Sequence, residues 1–540
     1  MELLAGPMLR YVGEREATVW VEVDRAGEVE VLGRKVRTFS LHGHHYALVV
    51  LRDLEPGGAY PYEVALDGRR CWPPAGQPSS VIRTVAPDGA VEVVFGSCRR
   101  AAPDEPPWSK SVDDDALGLG RDALVLLARR LIDGGGPVPD VLVMGGDQVY
   151  SDLPSPATLE FIRSRRSIIG EHDAETIDFT EYAFSYRETW ADPALRWLLS
   201  TVPTAMIFDD HDVHNGWNSS QEWVEEMAAG PGWPDRITSG LAAYWVYQHV
   251  GNLSPDALAD DEVWRAIAAG GDVEAALFVM ATRAAGLSPG DAVRWSYRWD
   301  LGPVRLVVVD SRSARVLAQG QRDMLPPSEW EWVEDQLSGG PAHLLVATSV
   351  PVLLPRMVHH LETWSDRAGA GAQRRVGVAA ARRARSRLGL EHWPAFPRAF
   401  DHLVSLLVDV AVGRRGPAPS SVMLLSGEVH YSYVAELADT GGAPIVQVVS
   451  SPLRNPSSRR LRSLHRFSAT AIAAGAARIL AASAGARRGI WNWRVTGGPW
   501  FDNGLASVRV EGPDALVRFE TTASGEGLTV IDERRIVGRR

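Results

Sequence analysis

Five short segments of this 540-residue chain carry side chains able to bind metal ions or move protons. They are Ser97-Cys98, Gly146-Asp147-Gln148-Val149-Tyr150, Asp209-Asp210-His211-Asp212, Asp310-Ser311-Arg312 and Ser426-Gly427-Glu428-Val429-His430. Each follows an apolar run of strand length, at 91–95, 141–144, 204–208, 304–309 and 422–425. Short apolar runs bounded by polar or glycine signals are the pattern of strands buried on both faces. In α/β sheets ligands bind beyond the carboxyl ends of the strands, so these side chains are expected to converge. Carboxylates, a phenol and two imidazoles suit hard or borderline cations. A structural zinc knot would instead need several thiolates at short spacing. Two metals ~3.5–4 Å apart that share a carboxylate can hold a hydroxide and both oxygens of an in-line displacement at phosphorus. Glycine before Asp147 and before Glu428 is expected to let backbone approach the metals. The outline is a dinuclear hydrolase.

Bringing five strand ends together takes an α/β core, and the chain has room for that core and a second domain. Hydrophobic residues make up 45% and charged residues 23%, which excludes a disordered or collagen-like protein. A net charge of −11 argues against nucleic-acid binding through the whole surface. Cys71 and Cys98 are the only cysteines, too few for a disulfide framework, and the first twenty residues show no signal pattern. A soluble, cytoplasmic chain is expected. The longest apolar stretch, 469–484, is Ala-rich and carries Arg478, short of a membrane span. Lysine occurs only at Lys35 and Lys110, a bias spread over the whole chain rather than a mark of one site.

Residues 1–85 read as short strands of a small all-β domain. Period-two alternation at 18–23 and 28–31 is punctuated by Gly13, Gly27 and Gly33. The stretch 54–64, with Tyr60 and Tyr62, looks like a sandwich corner where a tyrosine bonds back to backbone, as in fibronectin type III or Ig-like domains. His42, His44 and His45 read as an exposed loop rather than metal ligands. After a linker at 85–89, strand runs alternate with helical patterns such as 123–131 and 400–410. The core domain is expected over 91–510, with 511–540 as C-terminal strands and tail. Two Arg- and Ala-rich stretches, about 366–390 and 454–490, read as helical insertions. They are expected to be solvated helix faces; the weaker reading lays 469–480 on a membrane surface as an interfacial helix.

The ordered set of motifs resembles the calcineurin-like metallophosphoesterases, and within them the PhoD-like (alkaline phosphatase D) family, whose motifs are SC, GDxxY, DDHE and SGDVH. The resemblance implies a layered β-sandwich core flanked by helices, and hydrolysis of phosphoric mono- or diesters. It implies that Cys98, Asp147, Tyr150 and His430 bind a ferric ion, with Asp147 bridging. Asp210 and Glu428 would bind the second metal, calcium, with manganese or zinc as the alternative pair. It further implies that His211 faces the leaving group, oriented by Asp212, and that Arg312 or Arg187 holds a phosphate oxygen. Tyr150 lies three residues after Asp147 on the same loop, and phenolate is a strong donor to ferric iron. The expected partner is a small phosphate ester or phosphodiester, without specific nucleic-acid recognition.

The chain departs from the family pattern in three places. Glu428 stands where Asp is usual. The run 344–346 ends in Thr348-Ser349 without the histidine of the wider superfamily, and a hydroxyl there suits calcium. The twin-arginine signal of many relatives is missing. Purple acid phosphatases fit less well, since they need aspartate at position 98 and a GNH sequence at 209–211. A di-manganese or di-zinc phosphodiesterase and a non-catalytic metal-containing scaffold are the competing readings, yet every main motif keeps a competent side chain. His214, His249, His343, His359, His360 and His392 read as structural or exposed. Trp217, Asn215 and Asn218 are candidates for the substrate pocket.

Overall fold

The computed structural model describes residues 1–170, 174–288, 292–318, 320–370, 385, 389–486, 489–523 and 525–538. Its centre is a pair of face-to-face sheets. In the first, Val91–Gly96, Val141–Met144 and Thr204–Met206 run parallel. Gly504–Glu511, Asp514–Thr521 and Thr529–Ile536 extend it antiparallel from the other side of Val91–Gly96. In the second, Val304–Val309, His343–Thr348, Ser421–Ser426 and Ile445–Val449 are parallel. Three antiparallel strands complete its seven.

Side-chain alternation explains why the runs are apolar throughout. Val93, Phe95, Val143 and Ile207 point inward and meet Leu306, Val308, Leu345, Met423 and Leu425 between the sheets. Their neighbours Val94, Leu142, Met144 and Met206 point the other way, under the helices Ala123–Ile132 and Pro193–Thr201. On the far side Val307, Val309, Leu344, Val346, Val422 and Leu424 lie beneath the helix Pro397–Ala411. Both faces of each parallel strand are therefore dry. The expected α/β class, a layered sandwich flanked by helices, is what the chain adopts. The strands after residue 511 are integral to it, because Asp514–Thr521 and Thr529–Ile536 pair on into the first sheet.

Ten short strands between Leu3 and Arg83 form the all-β N-terminal portion. At its corner the Tyr60 hydroxyl accepts from the Glu55 N–H at 2.7 Å. This portion shares a core with the α/β domain. Trp20 and Tyr46 pack against Tyr247, and Trp20 against Trp190. Buried Arg10 donates to the Tyr247 and Gln248 carbonyls and to Asn252. His44 and His45 lie in the strand His44–Leu51 and do not gather with His42: His44 meets Arg187, and His45 meets Ser40. Of the two Arg-rich stretches, 371–384 and 386–388 fall outside the described residues. The other forms the helices Arg459–Ser468 and Ala471–Ser483. No helix among the described residues is long and apolar enough to cross a membrane.

Arg187 is committed to this junction, 2.5 Å from the fully buried Glu22 and 2.7 Å from His44 Nδ1. Removing one partner of a buried pair leaves the other charge unmatched. Arg187→Ala should cost on the order of 3 kcal/mol of stability, read as a lower Tm, with KM for a phosphate ester unchanged. A raised KM at unchanged Tm would return Arg187 to the substrate.

Candidate metal centre

The strand ends converge as their spacing requires. Ligand atoms of Cys98, Asp147 and His430 lie within 4.8 Å of one another, and so do those of Asp147, Asp210 and His211. Asp147 belongs to both groups. The backbone is bent sharply to achieve this: Cys98, Asp147, Glu428 and His430 all have positive φ, between 55° and 66°. Non-glycine residues hold such angles only where the surroundings enforce them, at roughly 1–3 kcal/mol each. The two expected glycines serve packing between strand ends. A Cβ on Gly146 would lie 2.7 Å from Asp209 Cβ, and one on Gly427 would lie 2.0 Å from Ser97 Oγ. Glycine at both positions lets these four loops pack closely in pairs.

Around the first group, the Tyr150 hydroxyl donates to Asp147 Oδ2 at 3.0 Å and accepts from Asn455 Nδ2 at 3.1 Å. Cys98 is fully buried, its sulfur 3.3 Å from Ser97 Oγ. The His430 N–H donates to Ser451 and its carbonyl accepts from Ser457. In the second group, Asp210 Oδ1 accepts from the His211 N–H and Oδ2 from the Gly216 N–H. The His211 ring packs tilted against Tyr150, with centroids 4.4 Å apart, and Nδ1 lies 2.7 Å from Asp152 Oδ1.

Asp152 is therefore the carboxylate that orients His211, in place of the expected Asp212. Asp212 is buried and clips loops together. Its Oδ1 accepts from the Gln148 and Val149 N–H groups and from Gln248, and its Oδ2 accepts from the Asp209 N–H. Arg312 is likewise placed away from a phosphate-holding role. It is fully buried, with Nε 2.5 Å from Asp209 and one terminal nitrogen 2.6 Å from Glu391. Its other terminal nitrogen lies 3.6 Å from Asp210 and 3.5 Å from Glu428. Glu428 stands beside the two groups rather than in either. His392 Nε2 is 2.7 Å from its Oε2, and His392 Nδ1 is 2.5 Å from Glu362. Thr348 and Ser349 bond to Ser311, beneath the site. Trp217 is core, packed on Phe208, Trp223 and Trp233. Asn218 donates to the Ser313 carbonyl, and the Asn215 N–H to Asp152.

Burial dominates the electrostatics. It raises the Asp147 carboxyl, and Asp210 and Glu428 raise it further. Burial and Asp147 push Asp212 up to about 8. Burial raises the Cys98 thiol and the Tyr150 phenol, with Asp147 adding to both. Burial would neutralise His211, but Asp147, Asp152 and Asp210 outweigh it and hold the ring protonated. Burial also works against His392, which Glu362 and Glu428 nevertheless carry to about 10. Burial brings His430 down to about 4, leaving a neutral ring able to ligate. Asp147 Oδ1 and Asp209 Oδ2 are buried with no hydrogen-bond partner among the described residues. An orphaned carboxylate oxygen among further carboxylates, a thiol, a phenol and a neutral imidazole fits a bound cation, which would oppose the upward shifts of the carboxyl, thiol and phenol and keep His430 neutral.

Several side chains at the site are not marked by the motif pattern. Asp152 lies two residues beyond the GDxxY motif, and Asp209, inside its motif, carries no role from the pattern. Glu391, His392 and Asn455 come from loops with no signal at all. Arg100 places its guanidinium 5.9 Å from the Tyr150 ring centroid and has no carboxylate partner among the described residues. It lines a cleft of about 320 Å³ with Tyr150, Trp108, Leu153 and Arg163. A cavity of about 490 Å³ around Arg322, Asp366 and Arg398 shares no residue with the centre.

Metal-binding side chains set on the parallel strand ends of a double-sheet sandwich define a metallophosphoesterase. The chain belongs to the PhoD-like phosphatase family, which it matches over residues 128–500, and it is a metal-dependent phosphoester hydrolase. Residues 1–84 match a domain of unknown function, DUF7800. The solved structure of PhoD superposes with a TM-score of 0.58 at 12% identity, covering 99% of this chain and 92% of that one. A purple acid phosphatase, PPD1, from yellow lupin (Lupinus luteus) seeds superposes with a TM-score of 0.48 at 12% identity, covering 98% and 74%. No curated protein matches the sequence.

The two aspartates beside the ligands should separate experimentally. Asp152→Asn should lower kcat ~10–100-fold with metal content and Tm kept, because it loosens a ring rather than a loop. Asp212→Asn should lower Tm as well. Equal effects of the two on Tm would erase the distinction.

Proposed function

We propose that the centre hydrolyses phosphoric mono- or diesters with two metals sharing Asp147, and that His211 protonates the departing oxygen. The observation carrying this reading is the Asp147 carboxylate, common to both ligand groups and holding a buried oxygen with no protein partner among the described residues. Cys98, Asp147, Tyr150 and His430 would hold the first metal; thiolate and phenolate together favour ferric iron. Asp147 and Asp210 would hold the second, with Glu428 reaching it by giving up its contact with Arg312. The hard oxygen donors at that position favour calcium, with manganese or zinc as alternatives. Bound there, the metals supply a nucleophilic water at neutral pH and neutralise charge growing at phosphorus.

The protein's own groups do the rest. Asp152, which is outside the proposed ligand set, favours a proton on His211 Nδ1, and Nε2–H would then donate to the leaving oxygen. The tilted contact with Tyr150 limits rotation of the ring. Arg100, at the cleft wall and without a carboxylate partner among the described residues, would hold a non-bridging oxygen; Arg312 is buried among carboxylates and Arg187 is paired with Glu22.

His211→Ala should lower turnover of bis-nitrophenyl and mono-nitrophenyl phosphate ~10²–10⁴-fold with both metals retained. The loss should be larger for an alkyl ester, whose leaving group needs the proton more. Wild-type turnover of the alkyl ester by the variant would remove His211 from the reaction.

A further inference from the structure

Residues 454–490 contain eight arginines and no carboxylate, in a chain whose net charge is −11. They fold into a helical hairpin, Arg459–Ser468 and Ala471–Ser483. Its second helix packs on the helix Arg356–Ala370. Ala473, Ala477 and Ala481, one turn apart, form its buried stripe. The opposite face carries Ile472 and Ile479, which are 82% and 72% exposed. On the first helix Leu461, Leu464 and Phe467 are 40%, 47% and 51% exposed. Arg459, Arg460, Arg466 and Arg478 are exposed on the same two helices. Arg460 and Arg478 have no carboxylate partner among the described residues.

We propose that this hairpin seats the protein on a bilayer surface rich in anionic lipid, with the leucines, isoleucines and Phe467 in the boundary between headgroups and acyl chains and the arginines on lipid phosphates. Large aliphatic side chains beside arginines are the pattern of interfacial helices. Polybasic charge adds attraction to an anionic leaflet. A nucleic acid would match the arginines but not the outward isoleucines. A second copy of this chain, face to face on the same hairpin, would set arginine against arginine. The hairpin also starts at the metal centre. Asn455 donates to Tyr150, Ser457 donates to the His430 carbonyl, and the His465 ring lies 4.5 Å from that of Tyr431. A seated hairpin would bring the membrane surface beside the centre. The docking itself does not rest on the hydrolytic reading.

Flotation of the full chain with vesicles tests this, using phosphatidylcholine alone or mixed equally with phosphatidylglycerol. The expected result is binding to the mixed vesicles at least about tenfold tighter than to the neutral ones, weakening as salt is raised. The double variants Ile472→Ser/Ile479→Ser and Arg460→Glu/Arg478→Glu should each lower binding about tenfold or more. Both should keep wild-type hydrolysis of bis-nitrophenyl phosphate in vesicle-free buffer, which shows that the fold survives. Three results would overturn the proposal: no binding, equal binding to both vesicles that neither variant alters, or a dimer in solution that the isoleucine variant dissociates.

Discussion

Negative charge buried in one place is the constraint on which the rest of the structure depends. Asp147, Asp209, Asp210 and Glu391 are buried and Glu428 is half-buried, all at the ends of neighbouring strands or on loops beside them. Carboxylates taken out of water must be matched by cations or hydrogen bonds. Arg312 answers four of them from the centre of the cluster, and His392 braces Glu428 from outside. Asp147 is left over, with one oxygen on Tyr150 and the other on no described residue. The architecture around it holds that oxygen at the point where the proposed metals would complete it. Two sheets end at the same level, four residues accept left-handed backbone, and Asp212 ties the ligand loops together.

The sandwich and the convergence of the polar strand ends were legible in the sequence for the same physical reason. Strands dry on both faces must be apolar throughout, so a polar cluster at their ends stands out. Roles that depend on direction were not legible. Asp212 is adjacent to His211 in sequence, but the short helix Asp210–Asp212 turns its side chain toward Gln148 and the Asp209 backbone, and Asp152 takes the ring instead. Arg312 and Arg187 look alike as free cations in sequence; burial gives one to internal carboxylates and the other to Glu22. His392 reaches Glu428 from a loop whose sequence has no pattern to read. Residues 511–540 read as strands and tail outside the core domain because their route into the first sheet runs through Val91–Gly96, distant in sequence.

The N-terminal strands are bound into this scheme more tightly than a linked domain would be. Arg10 lies fully buried against Tyr247, Gln248 and Asn252, and Gln248 in turn donates to Asp212. One chain of contacts thus runs from the β-portion to the carboxylate that clips the metal loops. Trp20, Tyr46 and Tyr247 surround it with aromatic packing, which excludes water from the junction. The β-portion therefore supports the Asp212 loop, and the residues leading into the arginine-rich hairpin bond to Tyr150 and His430.

The central claim is that Asp147 joins two metals, the first of them iron on Tyr150 and Cys98. Anomalous diffraction from crystals of natively purified protein, collected on both sides of the iron edge, measures this directly. The account predicts an iron peak bonded to Cys98, Asp147, Tyr150 and His430, and a second metal across the Asp147 carboxylate toward Asp210. Fully active crystals with no metal peak between Cys98 and Asp210, or with a single metal that Asp147 does not touch, would contradict it.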